Sequence, residues 1–269
     1  MSRLQQRMQE RAREGRKSFV AYLTAGDPNL EETPGLVAAL VRGGADVIEL
    51  GIPFSDPLAD GPTNQRAAER ALAAGASLDR ILDSIATIRK TDTKTPLVVF
   101  SYLNPIFHMG FARFAERASQ VGADAVLVVD LPPEEAESYR HAMQAKGLDT
   151  VFLASPTSDV ARLQVINQQS TGFVYYVSRT GVTGVQSQLS DTLASEMQRV
   201  RSEVSRPVMV GFGISGPEQA VTAAALGDGI IIGSAIVKLI EEGKNPQDRV
   251  ERVERFTHTI RQALDQGHR

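Results

Sequence analysis

The sequence predicts an α/β fold, a (β/α)8 TIM barrel with an extra N-terminal helix, formed by residues 1–269 as a single domain. Three observations carry this prediction. Eight short β-branched runs alternate with longer stretches of helical spacing. The short runs are continuously apolar, which suits parallel strands covered on both faces. An echo of glycine followed by aspartate recurs in GGADVIEL, VGADAVLVVD and LGDGIIIG, with the glycine read as a left-handed helix end and the aspartate as the start of a strand. The intervals between Asp46, Asp124 and Asp228 correspond to about two and about three βα units, and eight such units in a chain of this length is the size of a barrel.

The elements follow in order. Leu4 and Met8 mark one short helix before the first strand. The strand candidates are 19–24, 46–50, 97–102, 125–129, 150–153, 173–177, 208–210 and 229–232. Between the first two, Leu36, Val37, Leu40 and Val41 form a helical stripe. Leu78, Ile81, Leu82, Ile85 and Ile88 form another, with Ser77 as its N-cap. Pro132 or Pro133 starts a helix over 134–145 that Gly147 closes. Pro217 starts one after the seventh strand, and Val250, Val253, Phe256 and Ile260 give a last amphipathic helix. A doubly wound open sheet uses the same local elements, and the strand count favours the barrel.

Composition removes several function classes. A hydrophobic fraction of 42% supports a large core, and 29 basic against 32 acidic residues give no general polyanion binder. The absence of cysteine excludes disulfides, thiolate catalysis and cysteine-held metal centres. His108, His141, His258 and His268 show no ligand spacing, and no metal site is expected. No apolar run has membrane-spanning length, and the basic N-terminus lacks the apolar core of a signal peptide. The expectation is a soluble cytoplasmic protein with no nucleic-acid or membrane partner.

In a barrel the chemistry lies at the C-terminal ends of the strands. That rule isolates Glu49, the loop after Leu50, Tyr102, Asp130, Tyr175 to Gly184, Gly211 to Gly213, and Gly233 with Ser234. Glu49 interrupts an apolar strand. A carboxylate buried there has its pKa raised and is poised for general acid–base work, unless an arginine pairs with it. The next segment, GIPFSDPLADGP, is a structured loop over the barrel mouth. Asp56 suits a turn-former there. Asp60 faces the same cavity as Glu49 if the loop folds back, and two carboxylates in different environments divide acid and base roles. Glycoside hydrolysis also uses two carboxylates, but the chain has no tryptophan for stacking sugars.

Gly211-Phe-Gly-Ile-Ser-Gly216 matches the glycine pattern of a dinucleotide site, but the following strand ends in Ile-Ile-Gly-Ser without the required acid. A phosphate pocket fits better, because the next strand ends in Gly233-Ser234-Ala235. Backbone amides at a helix N-terminus bind phosphate without net basic charge, and Ser234 adds a hydroxyl donor. SRTGVTG, at 178–184, reads as a polar lid loop or a plain connector.

Together these segments resemble the α subunit of tryptophan synthase. FVAYLTAGDP (19–28), ADVIELGIPFSDPLADGP (45–62), YYVSRTGVTG (175–184), GFGIS (211–215) and GSAIV (233–237) are similar to that family's successive signatures, and the resemblance covers essentially the whole chain. It implies a (β/α)8 barrel that cleaves indole-3-glycerol phosphate to indole and glyceraldehyde 3-phosphate in a retro-aldol reaction. It makes Glu49 and Asp60 the catalytic carboxylates. Glu49 would deliver a proton to ring carbon C3 and then help deprotonate the glycerol hydroxyl. Asp60 would stabilise positive charge at the ring N–H and accept that proton as cleavage proceeds. Gly184, Phe212, Gly213, Gly233 and Ser234 would form the phosphate site. Tyr175 and Thr183 would support the active site, Thr183 through the lid and Asp60. Tyr22 and Phe100 fall at pocket positions where phenylalanine and leucine are common in the family. Asp56 would face the partner β subunit in an α2β2 complex. The resemblance implies no cofactor in this subunit, with pyridoxal phosphate in the β partner. Two other readings stay open on the residues: a related phosphate-binding barrel enzyme working alone, and a non-enzymatic partner that kept the barrel.

Overall fold

The structure, a computed structural model, describes residues 1–177, 186–211 and 213–267, with 186–192 described by backbone alone. Eight parallel strands pair each with the next, and the last pairs with the first, closing a barrel. They are β1 (Ser18–Thr24), β2 (Val47–Gly51), β3 (Leu97–Ser101), β4 (Ala125–Val128), β5 (Asp149–Ala154), β6 (Val174–Val177), β7 (Val208–Gly211) and β8 (Gly229–Ile232). All eight expected strands are present, with ends displaced by at most one residue.

The continuous apolar runs have a direct cause. In β1 every residue is buried, because Phe19, Ala21 and Leu23 face the helical layer while Val20 faces the barrel axis. The inner layer contains Val20, Val47, Val98, Leu127, Val151, Phe173, Met209 and Ile231. Full burial of side chains of this size contributes about 1.5–3 kcal/mol each.

Helices α1 (Arg3–Arg13), α2 (Thr33–Gly43), α3 (Pro62–Ala73), α4 (Leu78–Arg89), α5 (Leu103–Met109) and α6 (Phe111–Val121) precede β4. After it come α7 (Glu137–Ala145), α8 (Val160–Gln169), α9 (Gln186–Glu203), α10 (Pro217–Leu226), α11 (Ser234–Glu242) and α12 (Pro246–Gln266). The extra N-terminal helix α1 is capped by Ser2 and inserts Leu4 and Met8 into the inner layer. It therefore stoppers the N-terminal end of the barrel and leaves the C-terminal end as the open one. Ser77 caps α4 as expected, through the backbone N–H of Arg80. The helix expected over 134–145 is broken: Pro133–Glu135 form a single 3-10 turn, and the α-helix starts at Glu137.

The aspartate echo has a structural meaning. Asp46, Asp124 and Asp228 precede β2, β4 and β8, and each accepts the backbone N–H of a residue on the preceding strand, from Phe19, Leu97 and Val208. Each carboxylate thus takes a donor near the start of the neighbouring strand. Arg11 adds an ion pair to Asp46 at 2.6 Å and Arg89 one to Asp124 at 2.6 Å. Two details of the echo are corrected. Asp124 to Asp228 spans four strand steps, because the later units are shorter than the earlier ones. Gly44 and Gly122 are left-handed helix ends, at φ 102° and 89°, but Gly227 is extended. A Cβ at Gly227 would stand 2.5 Å from Val210, so close approach of the backbone demands glycine there.

Among the described residues, no helix is long and apolar enough to cross a membrane.

Candidate active site

The open end of the barrel holds a cavity of about 1090 Å³. Its lining brings together Tyr22, Glu49, Asp60, Phe100, Tyr175, Gly213, Gly233 and Ser234. These residues come from four strands and the segments after β2, β7 and β8, so the barrel gathers positions that are distant in sequence. Thr183, Gly184 and Phe212 lie outside the described residues. So does the expected lid, SRTGVTG.

Glu49 is the middle residue of β2, in register with Tyr22 on β1 and Val98 on β3. Its neighbours Ile48 and Leu50 face the helical layer, so strand alternation turns Glu49 toward the axis. It is completely buried, and neither carboxylate oxygen has a hydrogen-bond partner among the described residues. Among the described residues, no arginine makes the pairing considered from sequence. Burial without a compensating charge pushes its carboxyl up to about 8. At neutral pH the group is mainly a neutral acid with a proton to give.

Asp60 stands just before α3, at the end of the loop that leaves β2. It sits in a different environment. The Tyr102 hydroxyl donates to Asp60 Oδ2 at 2.8 Å, and Asn64 Nδ2 approaches Oδ1 at 3.4 Å. The Gln65 side chain holds the Asp60 carbonyl at 2.8 Å. Burial raises the Asp60 pKa, and the bonds from Tyr102 and Asn64 oppose that rise by favouring the ionised form. Tyr102 also accepts the backbone N–H of Ala59 at 2.9 Å, so one phenol fixes both the loop and its carboxylate. Asp60 is thus a carboxyl braced by two hydrogen-bond donors, and Glu49, among the described residues, one without any.

Aromatic rings wall the space between them and the phosphate end. Tyr22 meets Phe100 edge to face, with centroids 5.1 Å apart. The Tyr22 ring lies against Gly51 and the Tyr175 ring against Gly211, where any Cβ would collide with the phenols. Burial pushes both phenols above their ordinary pKa, so they stay protonated in this site. At the other end, Gly213 has a positive φ of 73°, and a Cβ added there would meet nothing within 4 Å. Gly233 is the N-cap of α11 and Ser234 its first residue. The first amides of that helix have no intrahelical acceptor and carry the positive end of its dipole. This end of the cavity is suited to an anion.

Asp56 is exposed and outside the cavity lining, and it accepts the Ser55 hydroxyl at 2.6 Å. Its loop carries Leu58, whose side chain is 92% exposed at the rim. Among the described residues, no group of three or more His, Asp or Glu side chains is placed to hold a metal ion.

The sequence reading assigned no role to Tyr102, which holds Asp60, or to Asn64. It also missed the lining from Leu153, Thr157, Ser158 and Arg162. The strand-end rule was the available signal, because Ser155–Ser158 immediately follows β5.

The profile of the family described as "Tryptophan synthase alpha chain" matches residues 8–265. The tryptophan synthase alpha chain of Pelobacter propionicus is 46% identical over 267 residues, covering 99% of each chain. That of Solibacter usitatus is 49% identical over 252 residues, covering 94% of each. The crystal structure of tryptophan synthase subunit alpha from Legionella pneumophila superposes with a TM-score of 0.92 at 40% identity over 99% of both chains. A chain of the tryptophan synthase complex from Pyrococcus furiosus gives a TM-score of 0.81 at 37% identity over 91% of this chain and 98% of that one. With barrel, cavity and full-length matches in agreement, the chain belongs to the tryptophan synthase alpha chain family.

Proposed function

We propose that Glu49 and Asp60 divide the charge and proton work of this family's reaction, the cleavage of indole-3-glycerol phosphate to indole and glyceraldehyde 3-phosphate. The observation that carries the division is the contrast between the two carboxyl groups. Glu49 is buried and unpartnered among the described residues, and burial raises it to about 8, while Asp60 is braced by Tyr102.

The steps balance on these two residues. Glu49 starts as the acid and gives its proton to ring carbon C3. The positive charge this creates is centred on the ring nitrogen, where the Asp60 carboxylate stabilises it through the N–H. Glu49, now a carboxylate, accepts the proton of the glycerol hydroxyl next to C3. The C–C bond breaks, its electrons return to the ring, and the hydroxyl carbon becomes the aldehyde. Glu49 ends protonated, ready for another turnover. The indolenine-type cation acts as the electron sink, so no lysine Schiff base is needed.

Gly213, Gly233 and Ser234 hold the phosphate through backbone amides and one hydroxyl, with Gly184 and Phe212 at the same site. Tyr22, Phe100 and Tyr175 wall the ring and keep water from the carboxylates. Thr183 supports Asp60 from the lid. The tryptophan synthase β subunit, which carries pyridoxal phosphate, takes the indole in an α2β2 complex, and Asp56 faces it. Residues 1–269 act as one barrel domain in the cytoplasm.

The test is indole release by Glu49→Gln. The isostere keeps the shape and loses the titratable proton, and loss of a general acid–base group typically costs about 10²–10⁴-fold. Near-normal turnover by the folded variant would reject the assignment.

A further inference from the structure

Asn64 lies in the first turn of α3, four residues after Asp60. Its Nδ2 is 3.4 Å from Asp60 Oδ1. Its Oδ1 is buried and has no hydrogen-bond partner among the described residues, and the residue lines the cavity. The amide's orientation follows from the chemistry: turned over, it would set oxygen against the Asp60 carboxylate. The side chain is not spent on capping α3 either, since no bond to the helix's own backbone is made by it. A buried acceptor left unpaired is costly, and such groups in native proteins mark strain or function.

The substrate has two kinds of donor, its glycerol hydroxyls and its ring N–H. The glycerol is tied to the phosphate, which belongs at the Gly213, Gly233 and Ser234 end. Asn64 sits beside the carboxylate that takes the ring nitrogen. The Asn64 amide is in contact with the Asp60 carboxylate, and both residues line the same cavity.

We propose that Asn64 Oδ1 is a second acceptor for the ring N–H beside Asp60, which makes Asn64 a specificity-determining residue for a heterocycle that donates a hydrogen bond. The proposal rests on the reading of Asp60 given above. Asn64 has a second effect, since its Nδ2 donates to Asp60 and favours the ionised carboxylate.

The test compares binding of indole with benzofuran, in which oxygen replaces the N–H, by titration calorimetry. Wild-type protein should prefer indole. Asn64→Leu, apolar and of similar size, should lose about three- to tenfold of that preference, the worth of one hydrogen bond. It should also move the acid limb of indole release to higher pH, because a donor to Asp60 is lost. A side chain that only braced the loop would weaken both ligands alike and leave their ratio unchanged. Thermal melts check folding, and Asn64→Ala provides a second variant should leucine disturb α3. An unchanged indole-to-benzofuran ratio in a folded variant overturns the proposal. Asp60→Asn separates this from the parent reading: full activity there would remove the catalytic role of Asp60, whatever the Asn64 ratio shows.

Discussion

Replacing Glu49 should harm catalysis and, at alkaline pH, help the fold. In the unfolded chain its carboxyl titrates near the ordinary 4.5, and in the folded protein at about 8. The folded state therefore binds this proton more tightly than the unfolded state does. The associated stability is fully present below about pH 4.5, falls as pH rises toward 8, and is lost above that. At about 1.4 kcal/mol per pH unit, the loss is on the order of 5 kcal/mol across the window. Glutamine has the same shape and no proton to lose, so Glu49→Gln escapes this term. The remaining titrating groups are common to both proteins and largely cancel in the difference. Urea unfolding of wild type and variant at pH 5, 7 and 9 should show the variant's relative stability rising by several kcal/mol from the lowest pH to the highest. The slopes should match, so that midpoints can be compared. A difference that stays flat with pH would refute the reasoning. It would mean that Glu49 is solvated or paired in the folded protein, and it would remove the basis for treating it as the resting acid.

Tyr102→Phe removes the hydroxyl that favours ionised Asp60, so the acid limb of indole release should move to higher pH, while an unmoved limb would show that Asp60 does not depend on this bond. Ser234→Ala should weaken both substrate and glycerol phosphate by about 1.5–3 kcal/mol and leave free indole unchanged, as measured by competition titration; equal weakening of all three would indicate general damage to the pocket. Titrating the β subunit into this chain should raise indole production, and Asp56→Ala should reduce both binding and activation; full binding and activation by the variant would place the contact elsewhere. The β subunit should alter the acid limb more than the basic one, because Asp60 is on the loop and Glu49 on a strand; equal shifts of both limbs in the pH profile would count against a loop-borne effect.

The barrel was legible because its strands bury both faces. Phe19 to Thr24 or Leu97 to Ser101 read as unbroken apolar runs for the same reason that they form inner and outer layers. The aspartate echo was legible as a repeat, but its cause, a carboxylate bonded to the neighbouring strand's backbone, is a contact that periodicity does not encode. The helix pair Leu103–Met109 and Phe111–Val121 was not singled out, since Pro105 and Gly110 interrupt the pattern between β3 and β4. At the site, Glu49 stood out as a charge in an apolar strand. Its partner's environment did not stand out. The phenol that braces Asp60 lies 42 residues away on another strand end, and no local pattern joins the two.

The placement of the two carboxyls explains why they differ chemically. A strand residue facing the axis of a closed barrel is surrounded by side chains of other strands, and in this barrel those near Glu49 are aromatic or aliphatic. Among the described residues no donor reaches it, and burial favours the protonated form. Asp60 belongs to a loop whose backbone folds against the end of β3, where the first residue beyond the strand, Tyr102, offers a hydroxyl. Exchanging the two environments would leave a braced anion in the core and an uncharged acid in the loop. The first could not protonate carbon, and the second could not hold a cation. The reaction needs a strong bias toward the acid form at one point and toward the anion at another. Among the described residues, the rigid strand gives Glu49 no donor, while the adjacent loop places Asp60 against the Tyr102 hydroxyl and the Asn64 amide.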